Sequence, residues 1–359
     1  MMKKLSVILC LFLLSCANDK EVIVVQYTDS SGAELLSSPM FETIEVLTLS
    51  GEDAPLFGSW SNVTIKNDIY YVEDSQSGMI HLFDAAGNYL NSVGQTGNGP
   101  EEYLYLSDVI IEENGNISIY DSGVLFTYSP FGDFLGTTEY LYKSINYQRT
   151  DGFNYHYYGT GSGLPYQLYI TDNQNQPIDS CITSFMVVNN DFAPFSAFGD
   201  MLNLCPYYGG EIYRLADGKA QIAYTFDFGK YNIPDKYYHF GDMYQAFDFL
   251  MPKTFAAKNR FFENQKYAVL QAGVANMELL WARYVYGLLD KASSTWSWFY
   301  MSDDDFMNDF CLKYMDESYL YFAADPEMVV DAQITERFPA LSALDVERDI
   351  LVIFKCKLK

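Results

Sequence analysis

The chain has 359 residues and a formal net charge of −25, with 17% aromatic and 19% charged residues. So much apolar and aromatic content excludes a disordered chain. The acidity excludes nucleic acid and anionic lipid surfaces as partners, because their phosphates would be repelled.

The N-terminus reads as an address. Met1-Met2-Lys3-Lys4 is a positive segment, and Leu5 to Leu14 is apolar but too short to span a bilayer. The stretch ends at Leu13-Leu14-Ser15-Cys16, which resembles the lipobox of bacterial lipoproteins. The resemblance implies a signal peptide over 1–15, cleavage before Cys16, lipidation of Cys16, and a tether over 16–40. The alternative is an ordinary signal peptide with an incidental cysteine. Asn18 stands where some bacterial lipoproteins carry a retention Asp, and Asp19 and Glu21 resemble in part the surface-export signal of Bacteroidetes lipoproteins. The expected location is the outer membrane, with its outer, cell-surface face as one option. Without Lys3 and Lys4 the net charge becomes −27. The ordinary account of this charge is solubility; the sharper one is attraction of cationic partners or metal ions.

Past the leader, Val22-Ile23-Val24-Val25 is a short strand in the tether, and the alternation of Ile44 to Leu49 predicts an outer strand. Ile69-Tyr70-Tyr71-Val72, Met79 to Phe83 and Tyr89 to Val93 are β-branched or aromatic runs separated by polar, Gly-containing turns. Strand, turn, strand, turn, strand is the core of a propeller blade. The pattern returns at Ile117 to Gly136. The Asp74-Ser75 and Asp121-Ser122 turns lie 47 residues apart, and later turn centres near 87, 132, 175 and 218 follow at 45, 43 and 43. Such a period signals a propeller, although an all-β sandwich shares the short, evenly spaced strands.

The expected fold is an all-β, six-bladed β-propeller of four-stranded antiparallel blades over 41–359. Blades fall near 60–95, 104–140, 153–182, 201–228, 267–300 and 311–354. An insertion is expected at about 230–262, with a short helix before Pro252. The apolar run Ile350 to Phe354 is predicted to be a central strand of the blade that residues 44–49 complete, closing the ring and hiding its edges.

The loop Gly97-Asn98-Gly99-Pro100-Glu101-Glu102-Tyr103 follows a strand ending at Val93. It resembles the G-x-G-P-G-E-Y loop of the six-bladed β-propeller lipoproteins of Bacteroidales, relatives of NHL-repeat propellers. Gly97, Gly99, Pro100, Glu102 and Tyr103 carry the match, and Glu101 departs from it. Leu351-Val352-Ile353-Phe354-Lys355 is similar to the family's C-terminal strand. The resemblance implies fold and location, and little chemistry.

No catalytic or cofactor motif stands out. Gly97 and Gly99 make a poor phosphate cradle, since Pro100 removes a donor and Glu101 and Glu102 repel anions. His81, His156 and His239 include no close pair. His81 and His156 do fall on different blades, and some NHL-type propellers bind zinc through channel histidines. Asp303-Asp304-Asp305 lacks the spacing of a calcium loop. Cys181, Cys205, Cys311 and Cys356 are widely spaced and lie in apolar surroundings, which favours buried thiols over disulfides.

The remaining lead is aromatic. Tyr157, Tyr158, Tyr207, Tyr208, Trp296 and Trp298 fall in or near loops, where exposed rings would give platforms for sugars or proteins; inter-blade packing is the alternative for each. The expected function is non-catalytic binding of a glycan or peptide by a lipoprotein. One alternative is a channel-centred lyase or hydrolase, metal-dependent or not. Another is a structural partner of other outer-membrane proteins.

Overall fold

The strands here are rich in Val, Ile, Leu, Tyr and Phe, and central ones such as Ile69–Asp74, Ile117–Asp121 and Asp349–Leu358 are buried on both faces. Such strands need other sheets on either side. Six sheets arranged as a ring satisfy this without leaving a face open. The computed structural model describes residues 22–27, 33–57, 61–186, 193–279, 281–300, 310–329, 332–345 and 349–359. The leader, Cys16 and Asp303-Asp304-Asp305 lie outside the described residues.

The chain begins with β1 (Ile23–Gln26), β2 (Ala33–Glu34) and β3 (Phe41–Ser50). Blade one is β4 (Asn62–Lys66), β5 (Ile69–Asp74), β6 (Met79–Phe83) and β7 (Tyr89–Val93). Blade two is β8 (Asp108–Ile111), β9 (Ile117–Asp121), β10 (Val124–Tyr128) and β11 (Phe134–Glu139). Blade three is β12 (Asn146–Thr150), β13 (Phe153–Tyr157), β14 (Tyr166–Asp172) and β15 (Pro177–Thr183). Blade four is β16 (Phe195–Phe198), β17 (Met201–Leu204), β18 (Glu211–Ala216) and β19 (Lys219–Asp227). The helix α1 (Met243–Leu250) precedes blade five, which is β20 (Thr254–Glu263), β21 (Tyr267–Asn276), β22 (Trp281–Asp290) and β23 (Thr295–Tyr300). Blade six is β24 (Cys311–Met315), β25 (Tyr319–Ala324), β26 (Asp349–Leu358) and β3. The molecule is a six-bladed β-propeller.

Ring closure follows the sequence expectation. β26 is a central strand and β3 the outer strand of one blade, with Ile353 opposite Leu47 and Phe354 opposite Val46. Val352, Ile353 and Phe354 are fully buried. Each such side chain contributes about 1.5–3 kcal/mol by leaving water.

Two segments differ from expectation. The strand read as part of a tether instead joins blade four, where β1 pairs in parallel with β19. β2 pairs in parallel with the end of β23 on blade five. Blades four and five therefore carry a fifth strand. The apolar anchor is Val25, only 2% exposed. In addition, residues 254–263, expected as the end of an insertion, form the inner strand of blade five. Thr254-Phe255-Ala256-Ala257 carries strand character that its position after Pro252 obscured, because the inserted segment ends with the turn at that proline.

The motif loop works as an inter-blade clasp. Gly99 N donates to Glu102 Oε2 at 2.8 Å, and Gln95 Nε2 donates to Glu102 Oε1 at 2.8 Å. A Cβ on Gly97 would lie 1.9 Å from Glu102 Oε2, so a side chain there would push the carboxylate out of these bonds. Tyr103 is buried between blades one and two, and its hydroxyl donates to Gly78 O. From blade two, Tyr128 OH donates to Glu101 O at 2.6 Å, and Asp121 Oδ2 accepts from Leu104 N and Tyr105 N at 2.8 and 3.2 Å. Glu101 is exposed and has ordinary backbone geometry, so its departure from the family's glycine is tolerated.

None of Cys181, Cys205, Cys311 and Cys356 is in a disulfide. Among the described residues no helix is long and apolar enough to cross a membrane.

Candidate binding site

In a meander, alternate connections fall on the same end. The links between blades and the turns between second and third strands therefore share one face of the ring. On that face the β17–β18 loop, the end of β15 and the segment after β19 enclose a cleft of 780 Å³. This lies within the usual range for ligand pockets, about 300–1,000 Å³.

The walls are set by packing. Lys258 on β20 is fully buried and donates through Nζ to Tyr208 O at 3.3 Å and to Gly209 O, holding the β17–β18 loop from below. A Cβ on Gly210 would lie 2.5 Å from Phe226 O, so only glycine fits against β19 there. The segment after β19 folds back through two short 3-10 turns into α1, which is capped by Asp242 accepting from Gln245 N at 3.0 Å. Ala246 and Leu250 of α1 pack with Ile233, Tyr237 and Phe255. Tyr238 OH accepts from Gly209 N at 3.2 Å, and the ring of Phe185 meets those of Tyr238 and Tyr208 at 5.0 and 5.8 Å. Burial pushes the Tyr238 phenol up to about 12, so it stays protonated.

The charge of the cleft is one-sided. Glu211, Asp227 and Asp235 line it, and its described lining includes no Lys or Arg. Asp227 accepts from Gly229 N at 2.8 Å and Asn232 Nδ2 at 2.5 Å, which holds its carboxyl below the usual range. His239 Nε2 lies 3.1 Å from Asp235 Oδ2 at the exposed rim. Ile182, also in the lining, has φ +63°. A β-branched residue there is strained, and such strain gathers at ligand sites.

The six aromatic candidates divide. Tyr208 lines the cleft, and half-buried Tyr207 packs beneath it at 4.9 Å. Tyr157 is not a platform: it is fully buried inside blade three and donates to Gln167 Oε1 at 3.1 Å. Tyr158 is half-buried, edge-on to Tyr169 at 5.5 Å. Trp298 is buried against β1, with Nε1 donating to Gln26 O at 3.1 Å. Trp296 meets Phe226 at 5.2 Å between blades four and five. Tyr157 and Trp298 take the packing alternative rather than the platform role, because their strand positions turn them against the neighbouring blade. The sequence reading singled out neither Phe185 nor the carboxylates, whereas Tyr237-Tyr238 stands out in the sequence as an aromatic pair near a loop.

His81 and His156 also sit in blade interiors. His81 Nδ1 lies 2.7 Å from Ser92 Oγ, under the stacked ring of Phe57. His156 is enclosed by Tyr140, Tyr142 and Tyr147, and burial pushes it down to about 4. Their strands, β6 and β13, are not the inner strands.

The profile of a family described as a domain of unknown function, DUF4934, matches residues 20–346. No curated protein matches the sequence. Among solved structures, a Bacteroides fragilis protein described as exported is 16% identical, with a TM-score of 0.72, covering 94% of this chain and 100% of that one. At that identity the likeness is one of fold. A protein of unknown function from Bacteroides caccae is 11% identical, with a TM-score of 0.41, over 67% of this chain and 81% of its own.

Proposed function

The chain belongs to the DUF4934 family, and from that premise we propose an exported, lipid-anchored binding protein that holds a neutral oligosaccharide in the loop-face cleft. The cleft itself carries the proposal: aromatic rings beside carboxylates, with no cation in its described lining. Rings such as Tyr208 and Phe185 offer apolar faces for sugar C–H surfaces. Glu211, Asp227 and Asn232 offer acceptors and a donor for hydroxyls. An acidic glycan would meet three carboxylates and be repelled. Chemistry is no part of this reading, since it needs only recognition. The anchor rests on the lipobox-like Leu13-Leu14-Ser15-Cys16. The address extends to the outer membrane by the same resemblance.

Thermal shift of residues 21–359 against neutral glycans, acidic glycans and peptides tests the cleft. A ligand at 100 times its Kd should add roughly 2.7 kcal/mol of stability. Tyr208→Ala should abolish the shift and Asp235→Asn should weaken it. A shift with basic peptides alone would replace the sugar by a cationic ligand. For the anchor, Cys16→Ser should move the protein from the membrane fraction to the soluble one, and an unchanged distribution would refute lipidation.

A further inference from the structure

The outer rim of blade four ends in an apolar edge. β1 is the last strand of that sheet and, among the described residues, pairs on one side only, with β19. Val22, Ile23 and Val24 are exposed, Val24 at 63%, and Ile222 on β19 is exposed as well. Side chains alternate along a strand and match across a pair. Ile23 and Ile222 therefore lie on the side of the sheet that carries Tyr224, and Val22 and Val24 on the other. The edge is apolar on both sides.

Edge strands are commonly blunted with charged residues. This one is not. Residues 22–27 include no charged side chain, and β19 carries only Lys219 before Asp227 at its loop-face end. In a chain of net charge −25 this is a local break in the acidity. The repulsion from headgroups expected of the whole chain has no source in the edge itself.

Pairing also fixes the direction of the edge. β1 runs parallel to β19, with Ile23 opposite Tyr224 and Gln26 opposite Asp227, which lines the cleft. Ile23 thus lies three residues, about 10 Å, back from the cleft along the strand. The N-terminal end of β1 points away from the cleft. Its other end is held firmly: Tyr27 N donates to Asp227 O at 2.8 Å, and the Tyr27 ring meets Trp298 edge-on at 4.9 Å. Cys16 and Ile23 are seven residues apart in sequence, a reach of at most about 25 Å when fully extended.

We propose that the edge formed by Val22, Ile23, Val24 and Ile222 rests on the surface of the bilayer, a contact that depends on the lipid anchor proposed above. Acyl chains on Cys16 hold the chain in the membrane, and the short reach keeps this edge beside it. The apolar side chains leave water for the interfacial zone, while hydrated headgroups meet the outer N–H and C=O groups of β1. The cleft stays open to solvent, since β1 enters from the side away from it. A second copy of the chain, paired edge to edge, is the rival occupant.

The test uses the full chain, purified in its lipidated form and reconstituted into vesicles of phosphatidylcholine and phosphatidylethanolamine that carry a doxyl-labelled lipid. A nitrobenzoxadiazole fluorophore is attached at Val24→Cys, at Asp235→Cys on the cleft rim, or at Phe131→Cys on blade two, each with the half-buried thiol removed by Cys181→Ser. The fluorophore at 24 should lose most of its emission to the doxyl lipid, and those at 131 and 235 should keep theirs. Ile222→Cys reads the same edge from β19 should Val24→Cys loosen β1. Equal quenching at every position, or none at 24 and 222 in vesicle-bound protein, overturns the proposal and leaves the anchor standing. Protein that does not float with the vesicles refutes the anchor and this contact together. Dimers of residues 21–359 seen by light scattering and dissolved by Val24→Lys would give the edge to a second copy, and also overturn it.

Discussion

His156 and Glu73 pull on stability in opposite directions. Full burial lowers His156 to about 4. Its unfolded form protonates nearer 6.5. The stability it contributes is complete above about 6.5 and is lost as pH falls toward 4, by on the order of 3 kcal/mol. Glu73 is the reverse case. Its folded form titrates near 7, so its contribution is complete below the unfolded value, near 4.3, and is lost as pH rises through 7. Denaturant titrations at pH 4.5, 6 and 8 should therefore separate the two. His156→Gln should flatten the acid side, and Glu73→Gln should raise stability at pH 8 relative to pH 4.5. A His156→Gln profile parallel to wild type would refute the first assignment. Neither behaviour was legible in the sequence, since Tyr155-His156-Tyr157 shows a histidine among tyrosines but not which neighbours from β12 and the link before it close over it.

Elements carry the next lesson. The Gly97–Tyr103 loop was legible as a motif, and its physical role is the clasp at Tyr103. Tyr103→Phe leaves Gly78 O without its donor and should cost about 1–3 kcal/mol. Gly97→Ala should displace the Glu102 carboxylate and cost a similar amount. Urea unfolding reads both, and unchanged midpoints would show the loop to be incidental. β1 was legible as a strand but not as a fifth strand of blade four, because a parallel partner 200 residues away leaves no mark on the local pattern. Val25→Asp should detach β1, lower stability by on the order of 2–3 kcal/mol and red-shift tryptophan emission as Trp298 meets water. Emission identical to wild type would mean that β1 does not cover Trp298.

At the scale of the whole molecule, the repeat spacing of the Asp and Gly turns revealed the blade period. The apolar run at Ile350 to Phe354 revealed the closure. The cleft could not be read the same way. It joins Phe185, Tyr208, Glu211, Asp227 and Tyr238 from two blades and an inserted segment, and only the ring brings them together. Closure predicts a global effect from a local change. Phe354→Ala should cost about 3–5 kcal/mol and lower the unfolding midpoint of every blade together. Separate transitions by circular dichroism and fluorescence would instead show that the blades unfold independently.

The parallel pairing of β1 with β19 also has a mechanical meaning. A pull through residue 22, the direction from which the proposed anchor would act, runs along β1 and loads its ladder to β19 in shear. The bonds then share the force rather than breaking one at a time. From β1 the chain passes along the outer edges of blades five and six. Tension would therefore be carried around the rim, leaving the axis and the loop-face cleft out of its path.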